Sequence, residues 1–342
     1  MKLSISRDAV LPAAFVSATT RIFLDLALDG NPIHNGVWIA ALLGALPVIP
    51  YLICLDLLAS RPNSTARRSL AGLLLTVTAL DAARIVSVVL RTSGFLTLEP
   101  VNPVILVIPM ALATLWCIWR NGDAIGYAAM LWRRAFPVLM LVVILLQWGH
   151  YRAQWIRPWL GNGWGDIVEG ANRTASCYVP TTSILFVCKP SEGTVRWRPS
   201  VVRIVLASAV AALLLVLRLM MLPSGMSDGP WISRLDALLT NGRAPLYLQL
   251  PMIVVFFTGI MHLLTCECFA ASALLQQLVP GLGGRACAGI VVLICATLPF
   301  AVFFRSMQDH VIPWLFVAAA VPVALATLSQ FRLQGGKRPC GD

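Results

Sequence analysis

"EGANRTASCYVPTTS" (residues 169–183) is a polar stretch within a chain that is otherwise mostly apolar. It holds one acid, one arginine and a run of hydroxyl-bearing side chains, and Pro180 stands inside it. Proline removes a backbone hydrogen-bond donor and disrupts a helix. Irregular backbone at membrane depth is tolerated only where it lines a cavity or is buried in protein. If the chain crosses a membrane, this stretch predicts a discontinuous helix.

The composition indicates a polytopic membrane protein. Of the 342 residues, 58% are hydrophobic and only 12% are charged, about half the share of about 25% found in soluble domains. The apolar residues form long blocks rather than amphipathic stripes, which is typical of spanning helices. We expect most of the net charge of +11 to face anionic lipid at one leaflet, and we expect no nucleic-acid partner.

Ten segments are long and apolar enough to be candidate spans, since a spanning helix needs about 20 mostly apolar residues. The sequence therefore predicts an all-α polytopic membrane protein with one transmembrane domain over residues 1–342. The first and sixth segments are the weakest by hydropathy. The candidates are 9–29, 36–59, 69–90, 102–119, 135–151, 168–188, 201–222, 246–273, 286–305 and 311–331.

The distribution of lysine and arginine predicts the orientation. With ten spans and a cytoplasmic N-terminus, sixteen of the 26 basic residues fall on the inner side, six on the outer side and four within spans. Cytoplasmic loops carry the excess of Lys and Arg. Removing one span would reverse every later loop, so this bias favours both the number ten and two cytoplasmic termini.

Spans one and six hold matching positions in a chain of five plus five helices. In transporters built from inverted repeats, helices at such positions are interrupted and the binding site lies near the membrane midplane. We therefore expect two inverted repeats, at about 9–151 and about 168–331, with helices one and six broken.

Charged residues within these spans come in opposite-sign pairs three or four positions apart, a spacing that places both charges on one helix face. Charges inside a membrane are costly and indicate function by default. Two interpretations remain open: each pair lowers its own burial cost without any solute, or the three spans share a cavity. The pairs are Arg21 and Asp25 in span one, Asp81 and Arg84 in span three, and Glu169 and Arg173 in span six.

Span eight carries His262 and Glu267. Glu267 is late in a helix that runs inward, so we expect it close to cytoplasmic water. The favoured interpretation of His262 is a packing residue inside the bundle. A soft-metal site with Cys266 and Cys268 is the alternative, but a structural zinc site needs four ligands. The nine cysteines form no disulfide framework, and we expect no metal and no cofactor.

The polar positions of spans one and six, with the charged pairs, define the predicted sites. The expected ligand-binding residues are Thr19, Thr20, Arg21, Asp81, Asn172, Arg173, Ser176, Tyr178 and Thr181. The expected gating or ion-coupling residues are Asp25, Arg84, Glu169, His262 and Glu267.

Several local patterns resemble a known family, the membrane-embedded B subunits of spore germinant receptors, in the amino-acid-permease superfamily. "HNGVWIAALLGALP" (34–47) resembles that family's entry to span two. "NPVILVIPMALATLWCIWRNGDAIGYAAMLWRRAFPVLM" (102–140) resembles its span four, short inner loop and proline-containing span five. "RPWLGNGWGDIVEGANRTAS" (157–176) and "SRLDALL" (233–239) resemble its loop before span six and its element before span eight. The resemblance follows the order of the spans over nearly the whole chain.

The resemblance implies a nutrient-sensing subunit in the cell membrane or inner spore membrane. It implies a small amino-acid-like ligand and A-type and C-type receptor subunits as partners. The alternative within the same fold is a proton- or sodium-coupled amino-acid permease. A membrane enzyme, such as an intramembrane protease, ranks below both, because the sequence contains no HExxH motif; we expect no catalytic residues.

Overall fold

The fold is built from helices that pack around two largely buried helical stretches, Asp8–Leu26 and Phe257–Leu278. The computed structural model describes residues 3–28, 34–59, 65–96, 102–120, 122–146, 152–161, 163–187, 197–221, 249–301, 303–304, 319–323 and 325. The helices are α1 (Arg7–Leu28), α2 (Val37–Leu43), α3 (Val48–Ala59), α4 (Thr65–Leu96), α5 (Pro103–Arg120), α6 (Gly122–Leu146), α7 (Trp164–Phe186), α8 (Trp197–Met221), α9 (Gln249–Leu278) and α10 (Gly284–Thr297).

Four helical stretches of the described chain are long and apolar enough to cross a membrane by themselves. They are Asp8–Leu26, Arg68–Leu90, Pro103–Arg120 and Phe257–Leu278. The bent pair α2 and α3 forms a fifth if it counts as one span. These five agree with predicted spans one, three, four, eight and two. Span ten lies almost wholly outside the described residues, and the count of ten spans stays a prediction.

Helix α1 lies at the centre of the bundle. It packs against α6, α7, α8 and α9, and its small apolar side chains, including Ala13, Ala14 and Ala18, are fully buried. A helix that is apolar on every side is normally buried. By contrast, α5 exposes Ile105, Leu112 and other large side chains, so it forms part of the outer surface of the bundle.

The predicted breaks in spans one and six are not found, because α1 and α7 are continuous helices. In α7, the hydroxyls of Thr181 and Thr182 donate to the carbonyl oxygens of Cys177 and Tyr178, at 2.9 and 2.5 Å. Neighbouring Ser and Thr side chains can satisfy backbone groups around a helix proline in this way. Pro180 therefore remains inside a continuous helix.

The interruption lies in span two instead, between α2 and α3, where the chain bends by 41°. Pro47 and Pro50 stand three residues apart there, so two backbone donors are missing within one helical turn. The amides of Ala45 and Leu46 donate to carbonyls only three residues back. Two prolines in one turn break this helix, whereas one proline flanked by hydroxyls does not break α7.

Helix α6 begins thirteen residues before the predicted start of span five at residue 135. Its first turns pack closely on α1: a Cβ at Gly126 would collide with Ala9, and one at Gly122 would come within 2.7 Å of the Ser4 carbonyl oxygen. Arg133 and Arg134, which stand directly before that predicted start, lie within this helix and are exposed. Hydropathy predicts the start of span five directly after these two charges. The helix begins earlier in the chain, where Gly122 and Gly126 allow close contact with the N-terminal segment.

Candidate functional site

Helices α1 and α4 bring four charged side chains together in the protein interior. The Arg21 guanidinium donates through Nε and Nη2 to Oδ2 and Oδ1 of Asp81, both at 2.8 Å. Its Nη1 donates to Oδ1 of Asp25 at 3.3 Å. Arg84 donates to the same Asp25 oxygen at 2.9 Å. We call Arg21, Asp25, Asp81 and Arg84 the ion network.

The network differs from the predicted pairs, which lay within single helices. The Arg21–Asp25 pair is present, but the shortest contacts join different helices, Arg21 to Asp81 and Arg84 to Asp25. A bidentate fork between a guanidinium and a carboxylate is stronger and more specific than a single contact. The tertiary fold brings Asp81 on α4 within reach of the long Arg21 side chain on α1, and helical spacing alone does not reveal this pairing.

All four members of the network are buried: Arg21 is 1% exposed and Asp81 is fully buried. Two positive and two negative charges balance. Burying charges is expensive unless they are paired with good geometry, and this arrangement meets that condition without a solute. The network therefore needs no ligand to be stable, and it ties α1 to α4.

A fifth buried charge-bearing group, Glu267 on α9, lies beside this network. It is 1% exposed, with Asp81 as its acidic neighbour and Arg21 as its basic neighbour. Neither of its carboxylate oxygens has a hydrogen-bond partner among the described residues. The expectation that Glu267 lies near cytoplasmic water is wrong, because α9 packs against α1, α4 and α7 along this part of its length.

The predicted hydroxyl-bearing residues are mostly engaged with protein groups. Tyr178 lies 2.7 Å from the Ser208 hydroxyl on α8, a partner that the sequence did not reveal. Thr19, Ser176 and Thr181 donate to carbonyl oxygens of their own helices. Such local bonds satisfy the side chain within its own helix, so these three hydroxyls already have protein partners in the described arrangement.

Thr20 is different, because its buried hydroxyl has no hydrogen-bond partner within the described chain. It lies against α9, where a Cβ added to Gly259 would come within 3.1 Å of Thr20 Oγ1. The nearby Ser17 hydroxyl on α1 is also buried and without a described partner. Two unsatisfied hydroxyls at the α1–α9 interface mark a place where a polar group would be stabilised.

The outer residues of α7 lie apart from the ion network. Glu169 and Arg173 form the predicted pair at 2.8 Å, with side chains 55% and 29% exposed. Asn172 is exposed, so the structure does not bring it to the buried network. Arg173 lies close enough to Asp25 for the two charges to interact. The pair thus lies between the surface and the buried charges.

His262 lines a groove between α5, α6 and α9 with a volume of about 720 Å³. Its Nε2 lies 3.2 Å from Cys266 Sγ. Nowhere in the described ranges do three His, Cys, Asp or Glu side chains come together as a metal site would require.

The groove is also lined by Trp116, Arg120 and Trp132. The Arg120 guanidinium lies 4.8 Å from the centre of the Trp116 ring. The sequence alone does not indicate these three residues.

Comparisons with known proteins identify the fold. No protein-family model matches the sequence, and the curated proteins give no match. The structure, however, superimposes on Mhp1, a nucleobase-cation-symport-1 family transporter solved in a closed conformation with bromovinylhydantoin bound. The match covers 100% of this chain and 95% of Mhp1, with a TM-score of 0.66 and 11% sequence identity.

The chain has a transporter fold. With its long apolar helices, this makes it an integral membrane protein. The predicted all-α polytopic membrane fold is confirmed as a fold of transporter type. The germinant-receptor subfamily, the two repeats and the site residues remain predictions.

Proposed function

We propose that the protein is an ion-coupled secondary transporter of a small zwitterionic, amino-acid-like solute. The observation that carries this proposal is the match to the fold of Mhp1 along the whole chain. Mhp1 belongs to a family named for nucleobase–cation symport, and we carry the coupling to a cation over as part of the proposal. The solute class comes from the chemistry of the buried charges.

The ion network is suited to a zwitterion, because it contains both charge types that such a solute needs. A solute carboxylate fits the Arg21 guanidinium, and a solute ammonium fits the Asp81 carboxylate. At present these two groups satisfy each other. A zwitterion would exchange one ion pair for two, with no change in net charge, so the electrostatic cost of binding stays low.

The exchange would loosen α1 from α4. The contact between Arg21 and Asp81 joins these helices, and a solute between them would favour an arrangement in which they are further apart. A ligand shifts a conformational equilibrium only by its difference in affinity for the two states. Thr20 and Ser17 on α1, whose hydroxyls are buried without a described partner, would bind the solute in the new arrangement.

Uptake of radiolabelled amino acids into proteoliposomes tests the proposal. We expect saturable uptake of at least one amino acid by the full-length protein and its loss in Arg21→Gln and Asp81→Asn. Arg203→Gln is the matched control, because Arg203 is exposed on α8. If no amino acid is taken up and none raises the thermal stability of the purified protein, the proposed solute class is wrong.

A second candidate is the nutrient-sensing B subunit of a spore germinant receptor. The continuity of α1 and α7 favours it, because helices without a break offer fewer free backbone groups for carrying a solute through. In this case the protein would reside in the cell or inner spore membrane with both termini cytoplasmic. It would signal ligand binding to A-type and C-type subunits.

The two candidates differ in one measurable property. A sensing subunit would be stabilised by an amino acid without moving it across a membrane, and it would co-purify with co-expressed A-type and C-type subunits. A transporter would show uptake in proteoliposomes that contain this chain alone. Stabilisation without uptake, together with subunit capture, would favour the receptor.

A further inference from the structure

Glu267 is the buried acid for which the ion network leaves no partner. Arg21 uses two of its nitrogen atoms on the two oxygens of Asp81, and Asp25 receives Arg21 and Arg84 on one oxygen. These four charges cancel. If Glu267 were also ionised, the cluster would carry one uncompensated negative charge in the protein interior, where both Glu267 oxygens lack a described hydrogen-bond partner.

An isolated buried carboxylate is among the most unfavourable groups in a protein, and neutralisation is the usual outcome. Either a proton or a metal cation can supply that neutralisation. Hard cations such as sodium prefer several oxygen ligands. Of the groups that face Glu267, Asp81 from α4 supplies oxygen but is already held by Arg21, and Cys295 from α10 supplies only sulfur.

The remaining charged and titratable groups around Glu267 are Arg21 from α1 and the thiols of Cys266 and Cys268 on α9 itself. A guanidinium repels a second cation, and a thiol is a poor ligand for a hard one. The adjacent Leu263 and Leu264 are buried apolar side chains. A proton needs none of these ligands, because it binds covalently to one carboxylate oxygen, which then becomes a hydrogen-bond donor beside Asp81.

We propose that Glu267 is the proton-binding site of this protein and that it holds a proton in the arrangement described, in which its side chain is buried. When α9 separates from α1 and α4 and water reaches the carboxyl group, the O–H bond breaks and the proton passes to water. A glutamate in water is ionised at neutral pH. Closure returns the carboxylate to the interior and takes one proton up. The separation of α9 from α1 and α4 is thereby linked to the loss of one proton from a Glu267 carboxyl oxygen.

The use of this proton to drive uptake rests on the proposed transport function, but the protonation itself does not. The two are tested separately. Infrared spectroscopy of the full-length protein in lipid nanodiscs reports the carbonyl stretch of a protonated carboxyl group directly. The chain contains only four glutamates, Glu99, Glu169, Glu192 and Glu267, so labelling with carboxyl-¹³C glutamate separates glutamate signals from those of aspartate.

At neutral pH we expect a carboxylic-acid band that shifts on ¹³C-glutamate labelling and disappears in Glu267→Gln. Glu169→Gln, at an exposed position, should leave the band unchanged. If the labelled wild-type protein shows no such band, the proposal is overturned whether or not the variant folds. A band that persists in correctly folded Glu267→Gln, or sodium retention by the wild type that this variant loses, would also overturn it.

Uptake supplies the second measurement. A pH gradient should stimulate uptake by the wild type several-fold and leave uptake by Glu267→Gln unstimulated. A protonated Glu267 in a protein without uptake would refute the transport function and keep the proton site. Uptake driven by a pH gradient without a glutamate band would refute the site and keep the function.

Discussion

Arg21 on α1 holds both carboxylate oxygens of Asp81 on α4 at 2.8 Å. The two residues are sixty positions apart in the chain, and their pairing ties the central helix of the bundle to its neighbour. The same carboxylate lies beside Glu267 on α9. The Asp81 carboxylate therefore interacts with charged groups on both α1 and α9. A substitution at Asp81 should change the electrostatic environment of Arg21 and of Glu267.

Removal of one partner of this fork should destabilise the protein strongly. Arg21→Met leaves Asp81 buried and uncompensated, and Asp81→Leu leaves Arg21 with only the longer contact to Asp25. Breaking a buried pair in this way costs about 3–5 kcal/mol. The free energy of unfolding in mixed micelles measures the loss, with Arg203→Met as the exposed control.

The double variant Arg21→Met, Asp81→Leu should lose much less than the sum of the single losses, because no buried charge is left without its partner. Additive losses would show that the two residues do not act as a pair and that the fork has no part in stability.

The ion network shows what the sequence can and cannot predict. Charges inside apolar segments are visible in the sequence, and all four members of the network were predicted as site residues. Their pairing was not, because helical spacing reveals neighbours only on the same helix. Burial of Glu267 was missed for the same reason: its depth depends on α1 and α4 packing over it, not on its distance from the end of α9.

The helix breaks illustrate the same limit. Pro180 and Pro47 both lie inside segments that the sequence predicts as spans. The outcome depends on their surroundings: hydroxyls of Thr181 and Thr182 reach carbonyls in the turn before Pro180, whereas Pro50 removes a second donor after Pro47. The presence of a proline alone therefore does not predict a break, because the hydrogen-bond donors that remain around it decide the outcome.

The close approach of α2 to α7 should not tolerate a methyl group at Gly44. A Cβ there would lie 2.5 Å from the Ala171 carbonyl oxygen and from Thr174 Cβ, so the helices must separate. Overpacking of this kind costs about 1–3 kcal/mol. We expect Gly44→Ala to lower the unfolding temperature of the purified protein.

Gly165→Ala is the matched control, since a Cβ at Gly165 meets no atom within 4 Å. It should leave the unfolding temperature unchanged or raise it slightly. Equal effects of the two substitutions would mean that the contact between α2 and α7 does not limit stability.

Tyr178 separates a ligand-binding role from a structural one. Tyr178→Phe removes the hydroxyl that pairs with Ser208 at 2.7 Å, which should cost about 0.5–1.5 kcal/mol of stability. If the hydroxyl also binds solute, as the sequence predicts, KM for uptake rises as well. Tyr127→Phe, at an exposed position on α6, should change neither quantity. A stability loss with an unchanged KM would remove Tyr178 from the ligand-binding set.

The predicted orientation can be tested at two exposed positions that it assigns to opposite sides of the membrane. In a variant whose nine native cysteines are replaced, single cysteines at Arg285 and Arg157, both exposed, report the side of the membrane. We expect a membrane-impermeant maleimide added to intact cells to label residue 157 and not residue 285. The reverse pattern would contradict the cytoplasmic placement of the termini.

Arg173 offers the sharpest test of a charge at the outer end of α7. Its ion pair with Glu169 is partly exposed, and such a same-helix pair contributes only about 0.3–0.5 kcal/mol in water. That is too little to retain an arginine for stability alone. Its charge also acts on the buried Asp25, so we expect Arg173 to attract the solute carboxylate on its way to the ion network.

Arg173→Gln should therefore leave the amount of inserted protein unchanged and raise KM for uptake several-fold, with kcat much less affected. The effect should shrink at high salt, since exposed charges are screened. The deciding comparison is the double variant Glu169→Gln, Arg173→Gln. If removal of both charges restores the wild-type KM, Arg173 only balances Glu169. If KM stays high, the positive charge itself guides the solute inward, because a neutral helix end cannot reproduce that attraction.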